Sequence, residues 1–233
     1  MPHIIFDIDG TLTHSVQADD ICFIRALAEV WNFHDVDTDW SKYKHVTDAG
    51  LLHELHETRT GRTPAKDELH AFRDHFLALL GQMLAENPMV PIAGAPAMLK
   101  HLTGETAYGV SLATGAWGAS ASLKMRSAGM RFEDHPAASS DDAPDRVTIM
   151  QISRQRAAER FGAREKVIYI GDGVWDARAC KALNWPFIGI GSGERAVRLR
   201  AEGALAVLPD FSDLKCFLKA LDDAFRTQVS PAR

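Results

Sequence analysis

The sequence lacks the features that would mark a secreted, disulfide-bonded or membrane protein. It has three cysteines among 233 residues, Cys22, Cys180 and Cys216, and none belongs to a CxxC pair. An odd number of widely spaced cysteines argues against a disulfide framework and is typical of reduced thiols. No apolar run approaches the roughly 18 residues that a membrane span needs, and no signal-peptide pattern precedes the first apolar run. We therefore predict a cytoplasmic protein with no membrane contact.

The sequence also lacks an excess of positive charge. The chain has 26 Lys and Arg against 31 Asp and Glu, which gives a net charge of -5. Domains that bind nucleic acid usually carry a basic surface, so no nucleic-acid partner is expected. Hydrophobic residues make up 46% of the chain and charged residues 24%, as in ordinary globular domains. The length allows one large domain, or one domain with a smaller insert.

The sequence does contain an alternation of apolar strand-like segments and amphipathic helical segments. Segments typical of buried strands are residues 4–6, 108–114, 166–172, 186–191 and 204–208. From residue 117 onward, helical patterns separate these segments. Strands that alternate with helices predict a mostly parallel sheet with helices on both faces, an α/β fold of the Rossmann-like kind.

A long helical segment interrupts this alternation after the first strand. Residues 16–89 show apolar side chains at helical spacing and no strand pattern. One of these helices is predicted to have Thr63 as its N-cap and Pro64 at its first position. We expect residues 1–15 and 90–233 to form the α/β core, and residues 16–89 to form a small helical cap.

Acidic side chains follow two of the predicted strands at the point where each strand ends. Asp7 and Asp9 come directly after the first strand in "DIDGT", and Asp172 and Asp176 lie in "GDGVWD" after the strand at 166–172. The carboxyl ends of parallel strands meet at one edge of the sheet, where ligands bind. Neighbouring buried carboxylates are costly unless a cation or a reaction uses them. Carboxylate oxygens are preferred ligands of Mg²⁺, so we predict a magnesium site there.

Residues suited to binding phosphate follow the other strands. Thr114 ends the strand at 108–114 and Gly115 follows it, and Arg146 follows the segment "AASSDDAPD". A hydroxyl and a backbone N–H at the start of a helix suit a phosphate oxygen. A fixed guanidinium stabilises the charge of a transferring phosphoryl group. These three residues are therefore predicted to bind phosphate at the same edge of the sheet.

These motifs, in this order, resemble those of the haloacid dehalogenase-like superfamily. There the pattern is D-x-D-G-T, a hydrophobic strand ending in Ser or Thr, a Lys or Arg, and G-D-x-x-x-D, and the resemblance covers essentially the whole chain. The stretch "DGTLTHS" further resembles the phosphoglycolate-phosphatase-like branch, in which a helical cap follows the first motif. The basic residue of that family is commonly Lys, but no Lys lies between Asp134 and Glu159. Arg146 is therefore assigned to this role, with Lys124 as the alternative.

The resemblance implies a Mg²⁺-dependent phosphatase that acts on a small phosphorylated metabolite through an aspartyl-phosphate intermediate. Asp7 would be the nucleophile, and Asp9 would act as general acid and then as general base. Mg²⁺ would be held by Asp7, by the main-chain carbonyl of Asp9 and by Asp172. Asp176 would hold a metal-bound water or the basic residue. Thr114 and Arg146 would complete the catalytic set.

A polar loop in the predicted cap is the candidate segment for substrate recognition. The loop from Asp37 to Gly50 mixes aromatic and charged residues between two helices. In a capped enzyme some cap residues face the site, where they contact substrate and exclude water. The candidates for substrate contact are Lys44, His45, Thr47 and Asp48.

Several other functions remain open at this point. A phosphomutase or phosphotransferase would keep every motif, and a phosphonatase would use a cap lysine such as Lys42 or Lys44. A dehalogenase lacks the second carboxylate, so Asp9 argues against that activity. A different class is a non-catalytic domain that accepts a phosphoryl group or binds phosphate for regulation. The sequence names neither the substrate nor the oligomeric state.

Overall fold

The computed structural model describes residues 2–163 and 165–227 of the chain. Within these residues the strands form a single six-stranded sheet in the order β3-β2-β1-β4-β5-β6, and every neighbouring pair is parallel. The fold is therefore the predicted α/β class. The strands are β1 His3–Phe6, β2 Gly109–Ala113, β3 Ala137–Ala138, β4 Val167–Gly171, β5 Phe187–Ile190 and β6 Ala206–Leu208.

Nine α-helices lie along the described residues. No helix in this part of the chain is both long and apolar enough to cross a membrane. The helices are α1 Val16–Trp31, α2 Asp48–Thr60, α3 Lys66–Glu86, α4 Ala95–Glu105, α5 Gly118–Ser127, α6 Arg146–Phe161, α7 Val174–Leu183, α8 Gly193–Ala201 and α9 Leu214–Thr227.

Helices cover both faces of the sheet. Successive side chains of a strand point to opposite faces, so neighbouring residues of β1 pack against different sets of helices. Ile4 and Phe6 of β1 belong to one apolar cluster, which also contains residues of α4, α5 and α9. Ile5, between them, belongs to a second cluster with residues of α6, α7 and α8. Every residue of β1, β2, β4 and β5 is buried. Burial on both faces explains why these strands read as continuous apolar runs.

The segment predicted as a cap contains α1, α2 and α3, and no strand is described within it. Phe23 of α1 contacts Phe72 and Phe76 of α3, with ring centroids 5.3 and 6.0 Å apart. Phe23 also stacks on Trp117, just before α5, at 6.3 Å. These rings pack the helical segment against the chain that follows β2. The division into a core domain and a cap domain stays a prediction.

The structure differs from the predicted elements at three places. α3 begins at Lys66 with Ala65 as its N-cap, not at Pro64 with Thr63 as its N-cap. The Glu68 carboxylate accepts the Ala65 N–H at 2.7 Å, and this bond fixes the first turn two residues later than predicted. Neither α4 nor the two-residue strand β3 was predicted from the sequence.

Candidate active site

Three buried carboxylates converge beyond the carboxyl ends of β1 and β4. Asp7, Asp172 and Asp176 each place one carboxylate oxygen within 4.8 Å of the others. Their exposed fractions are 2%, 6% and 0%. β1 and β4 are neighbours in the sheet, with Phe6 opposite Ile170, so the residues that follow them lie side by side. The structure thus brings Asp176, predicted to act outside the metal ligands, into the same cluster as Asp7 and Asp172.

The cluster is electrostatically unfavourable without a cation. Burial raises the pKa of Asp7 well above its usual range; Arg146 opposes this shift, whereas the carboxylates of Asp176 and Asp172 add to it. Burial also raises the pKa of Asp172 to about 7. A divalent cation would offset the repulsion, and a set of oxygen donors suits Mg²⁺. The residues present therefore fit a magnesium ion.

A tight turn at Gly10 follows the two aspartates of the first motif. Gly10 has a φ of 78°, and its N–H donates to the Thr13 carbonyl at 2.8 Å. A Cβ atom on Gly10 would overlap the carboxylate of Asp172. Glycine is needed here both for its backbone conformation and for the close approach of Asp172.

The Asp9 side chain faces a different set of partners from Asp7. The Lys124 ammonium lies 2.6 Å from Asp9 Oδ1, and the Ser15 hydroxyl donates to the same carboxylate. Lys124 also pairs with Asp19 of α1. Burial by itself raises the pKa of Asp9, but Lys124 and the Ser15 hydrogen bond outweigh it and lower that pKa. The two aspartates of "DID" thus occupy opposite electrostatic environments.

Arg146, and not Lys124, contacts Asp7. Arg146 is the first residue of α6, and its Nη1 donates to Asp7 Oδ1 at 2.9 Å. Its Nε lies 3.4 Å from Asp176 Oδ1. The helix is fixed at this point because the Asp145 carboxylate accepts the Thr148 N–H at 2.9 Å. Of the two basic candidates, Arg146 is the one that lies against the predicted nucleophile.

Of the two residues after β2 that were predicted to bind phosphate, Gly115 faces the candidate site and Thr114 does not. The buried Thr114 hydroxyl accepts the Ala116 N–H at 3.1 Å. Gly115 lines the cavity that contains Asp7, and its carbonyl accepts the Asp48 N–H at 2.8 Å. Thr114 is not among the residues that line this cavity. The helix predicted to open at Thr114 begins three residues after Gly115, at Gly118.

A cavity of about 110 Å³ lies between the carboxyl edge of the sheet and the helices that follow β1. It brings the predicted catalytic residues together with residues of the predicted cap. Its lining residues are Asp7, Asp9, Val16, Asp19, Asp20, Phe23, Trp40, Val46, Thr47, Asp48, Leu51, Phe76, Gly115, Ala116, Arg146 and Trp175.

The four cap-loop candidates divide between two cavities. Thr47 and Asp48 line the cavity that contains Asp7. Lys44 and His45 line a separate cavity of about 390 Å³, whose wall shares Arg146 with the first. The Thr47 hydroxyl accepts the Gly50 N–H at 3.1 Å, which caps α2. Burial raises the pKa of Asp48 to about 7.

Several side chains at the site were not predicted as functional from the sequence. Asp19 and Trp175 line the cavity, and Arg195 lies 2.7 Å from Asp172. The sequence indicated Lys124 only as an alternative to Arg146, whereas the structure pairs Lys124 with Asp9. Asp19 resembles an ordinary acidic residue in the first turn of a helix, and Arg195 belongs to a basic helix face, so neither carries a local signal.

Comparisons with known proteins support the sequence-based resemblance. A family model described as haloacid dehalogenase-like hydrolase matches residues 1–184. The solved structure of a hydrolase from Pseudomonas syringae is 22% identical, with a TM-score of 0.73, over 96% of this chain and 99% of that one. A predicted phosphoglycolate phosphatase from Haemophilus somnus is 16% identical, with a TM-score of 0.65, over 93% and 97%. At these identities the structures show a shared fold. No curated protein gave a significant match.

Proposed function

We propose that this chain, which belongs to the haloacid dehalogenase-like hydrolase family, is a Mg²⁺-dependent phosphatase of a small phosphorylated metabolite. One observation carries the proposal: the two aspartates of the first motif have different partners. Asp7 lies with Asp172, Asp176 and Arg146, as a nucleophile beside a metal site requires. Asp9 lies apart from that cluster, against Lys124, where it can exchange a proton.

The oxygen donors of the acidic cluster would hold Mg²⁺. Asp7, Asp172 and the main-chain carbonyl of Asp9 are the proposed ligands, and Asp176 would support them through a water. When bound, the ion would supply positive charge that offsets the carboxylates and the phosphoryl oxygens. Arg195 already pairs with Asp172 at 2.7 Å and would help to hold that carboxylate in place.

In the first step Asp7 attacks the phosphorus atom and the ester bond to the leaving oxygen breaks. Arg146 donates to one oxygen of Asp7, which leaves the other oxygen available for attack. Asp9 gives its proton to the leaving alkoxide. The pKa of Asp9 is lowered in the ligand-free protein, but the negative charge of a bound phosphate ester favours the protonated form needed here.

In the second step water hydrolyses the aspartyl-phosphate. Asp9 is now a carboxylate and takes a proton from the attacking water, while the bond between Asp7 and phosphorus breaks. Inorganic phosphate leaves, and Asp9 is again protonated.

The test is the release of inorganic phosphate from p-nitrophenyl phosphate by the purified protein with Mg²⁺. We expect turnover that EDTA abolishes and that added Mg²⁺ restores. Asp7→Asn is the matched control, because asparagine keeps the shape of the side chain but cannot act as the nucleophile. Turnover that survives EDTA, or an Asp7→Asn variant that retains a tenth of the wild-type kcat, would contradict the proposal.

A further inference from the structure

The part of the cavity away from Asp7 has an excess of carboxylates. Asp19 and Asp20 of α1 and Asp48 of α2 line it, in addition to the two aspartates of the first motif. Among the described residues that line the cavity, Arg146 is the only basic one, and it already pairs with Asp7 and Asp176. Its charge is therefore committed to the phosphate end of the cavity.

The carboxylates at the far end are only partly compensated. Lys124 does not line the cavity, and its single ammonium is shared between Asp9 and Asp19. The second carboxylate oxygen of Asp19 is buried without a hydrogen-bond partner. In the described part of the chain, the hydrogen-bond donors to the carboxylates of Asp20 and Asp48 are both uncharged. They are the Trp40 indole at 2.8 Å and the Trp117 N–H at 2.9 Å.

Aromatic rings stand beside these carboxylates. Phe23, Trp40 and Phe76 line the same cavity. The Phe23 ring meets the rings of Trp40 and Phe76 edge-on, each at 6.0 Å between centroids. The indole that binds Asp20 is thus part of the aromatic wall. Carboxylates together with aromatic rings form an environment that attracts an organic cation through charge and, where a ring face is accessible, cation–π interactions.

We infer that the substrate is a short phosphate monoester whose alcohol carries an ammonium group. This inference rests on the proposed function, since it places the phosphoryl group at Asp7 and Arg146. The ammonium would then lie among Asp19, Asp20 and Asp48. A carboxylate in its place would lie beside the acidic side chains of Asp19 and Asp20, with no basic residue of the cavity lining to pair with it, since Arg146 is at the phosphate end. The cavity volume of about 110 Å³ is below the roughly 300–1,000 Å³ of typical small-molecule sites, which favours a short substrate.

The test uses three esters of nearly equal size that differ in charge: 2-aminoethyl, 2-hydroxyethyl and carboxymethyl phosphate. Binding to the full-length Asp7→Asn variant with Mg²⁺ is measured by calorimetry, so the result does not depend on turnover. We expect the aminoethyl ester to bind at least about tenfold more tightly than the carboxymethyl ester, with the hydroxyethyl ester between them. Equal binding of all three, or tightest binding of the hydroxyethyl or carboxymethyl ester, would overturn the inference.

Asp20→Asn locates the effect within the cavity. Loss of this charge should measurably reduce the ratio of aminoethyl to hydroxyethyl binding, by up to about tenfold. Asp67→Asn is the control: it makes the same change on the exposed start of α3 and should leave the ratio unchanged. A ratio that is the same in all three proteins would overturn the role of Asp20. Hydrolysis of p-nitrophenyl phosphate by the wild-type protein separates the two proposals: if it is absent, the phosphatase proposal fails, whereas the binding order still decides the substrate class.

Discussion

The ammonium of Lys124 lies 2.6 Å from a carboxylate oxygen of Asp9, and the Lys124 side chain is completely buried. The same ammonium pairs with Asp19. Lys124 belongs to α5, Asp9 to the turn after β1, and Asp19 to α1. One buried cation therefore connects the proposed general acid to the first helix of the predicted cap.

Removal of this cation should destabilise the protein strongly. Lys124→Met leaves the partly buried carboxylates of Asp9 and Asp19, 20% and 19% exposed, without their ammonium. Breaking a fully buried ion pair costs about 3–5 kcal/mol, and the partial exposure of the two carboxylates should bring the loss towards the lower end of that range. Urea unfolding should show a clearly lower midpoint. Lys219→Met is the control, because Lys219 pairs with Asp223 on the exposed face of α9 and its loss should change the midpoint little. Equal midpoints for the two variants would contradict a structural role for Lys124.

Gly10→Ala should weaken Mg²⁺ binding. The added Cβ would overlap the Asp172 carboxylate, a proposed metal ligand, and would also strain a backbone with a φ of 78°. Gly61→Ala is a matched control, because Gly61 has a φ of 74° but nothing lies within 4 Å of an added Cβ. Both variants should lose about 1–2 kcal/mol of stability to the left-handed backbone. Only Gly10→Ala should raise the half-saturating Mg²⁺ concentration. An unchanged concentration in this variant would contradict the proposal that Asp172 is a metal ligand.

The strand ends could be predicted because the signals that define them are local. "DIDGT" and "GDGVWD" each follow a short apolar run, and the rule for parallel sheets brings such ends to one edge. The arrangement around Asp9 could not be predicted, because its partner Lys124 is 115 positions away and resembles a surface residue in a polar helix. The start of α3 was misplaced for a similar reason: Thr63 is a good N-cap type, but Glu68 makes the cap at Ala65.

Asp48 should make stability depend on pH near neutrality. Burial raises its pKa to about 7 in the folded protein, above the value in the unfolded chain, so folding favours the protonated form. Stability from this group is present at low pH and is lost as pH rises towards and through 7, on the order of 1 kcal/mol between pH 6 and 8. Asp48→Asn should remove that part of the dependence. Thermal unfolding of both proteins at pH 6 and pH 8 measures it, and identical pH profiles would contradict this assignment.

Asp9→Asn should slow hydrolysis most for substrates whose leaving group must be protonated as it departs. Asparagine has nearly the same volume as aspartate but cannot give a proton to the leaving group or take one from water. General acid–base catalysis contributes about 10²–10⁴-fold, so kcat for an alkyl phosphate should fall by about that factor. An aryl phosphate has a better leaving group, so its first step should suffer less. Rapid-quench measurements should then show a burst of phenol and a phosphorylated protein that hydrolyses slowly.

The half-saturating Mg²⁺ concentration distinguishes this effect from damage to the metal site. The Asp9 side chain points to Lys124 and Ser15 and not to the cluster of Asp7, Asp172 and Asp176. Its replacement should therefore leave Mg²⁺ dependence nearly unchanged while kcat falls. If Asp9→Asn hydrolysed alkyl phosphates at the wild-type rate, Asp9 would not be the proton donor. If kcat fell only because more Mg²⁺ was needed, the side chain of Asp9 would belong to the metal site, and the division of work between the two aspartates would be wrong.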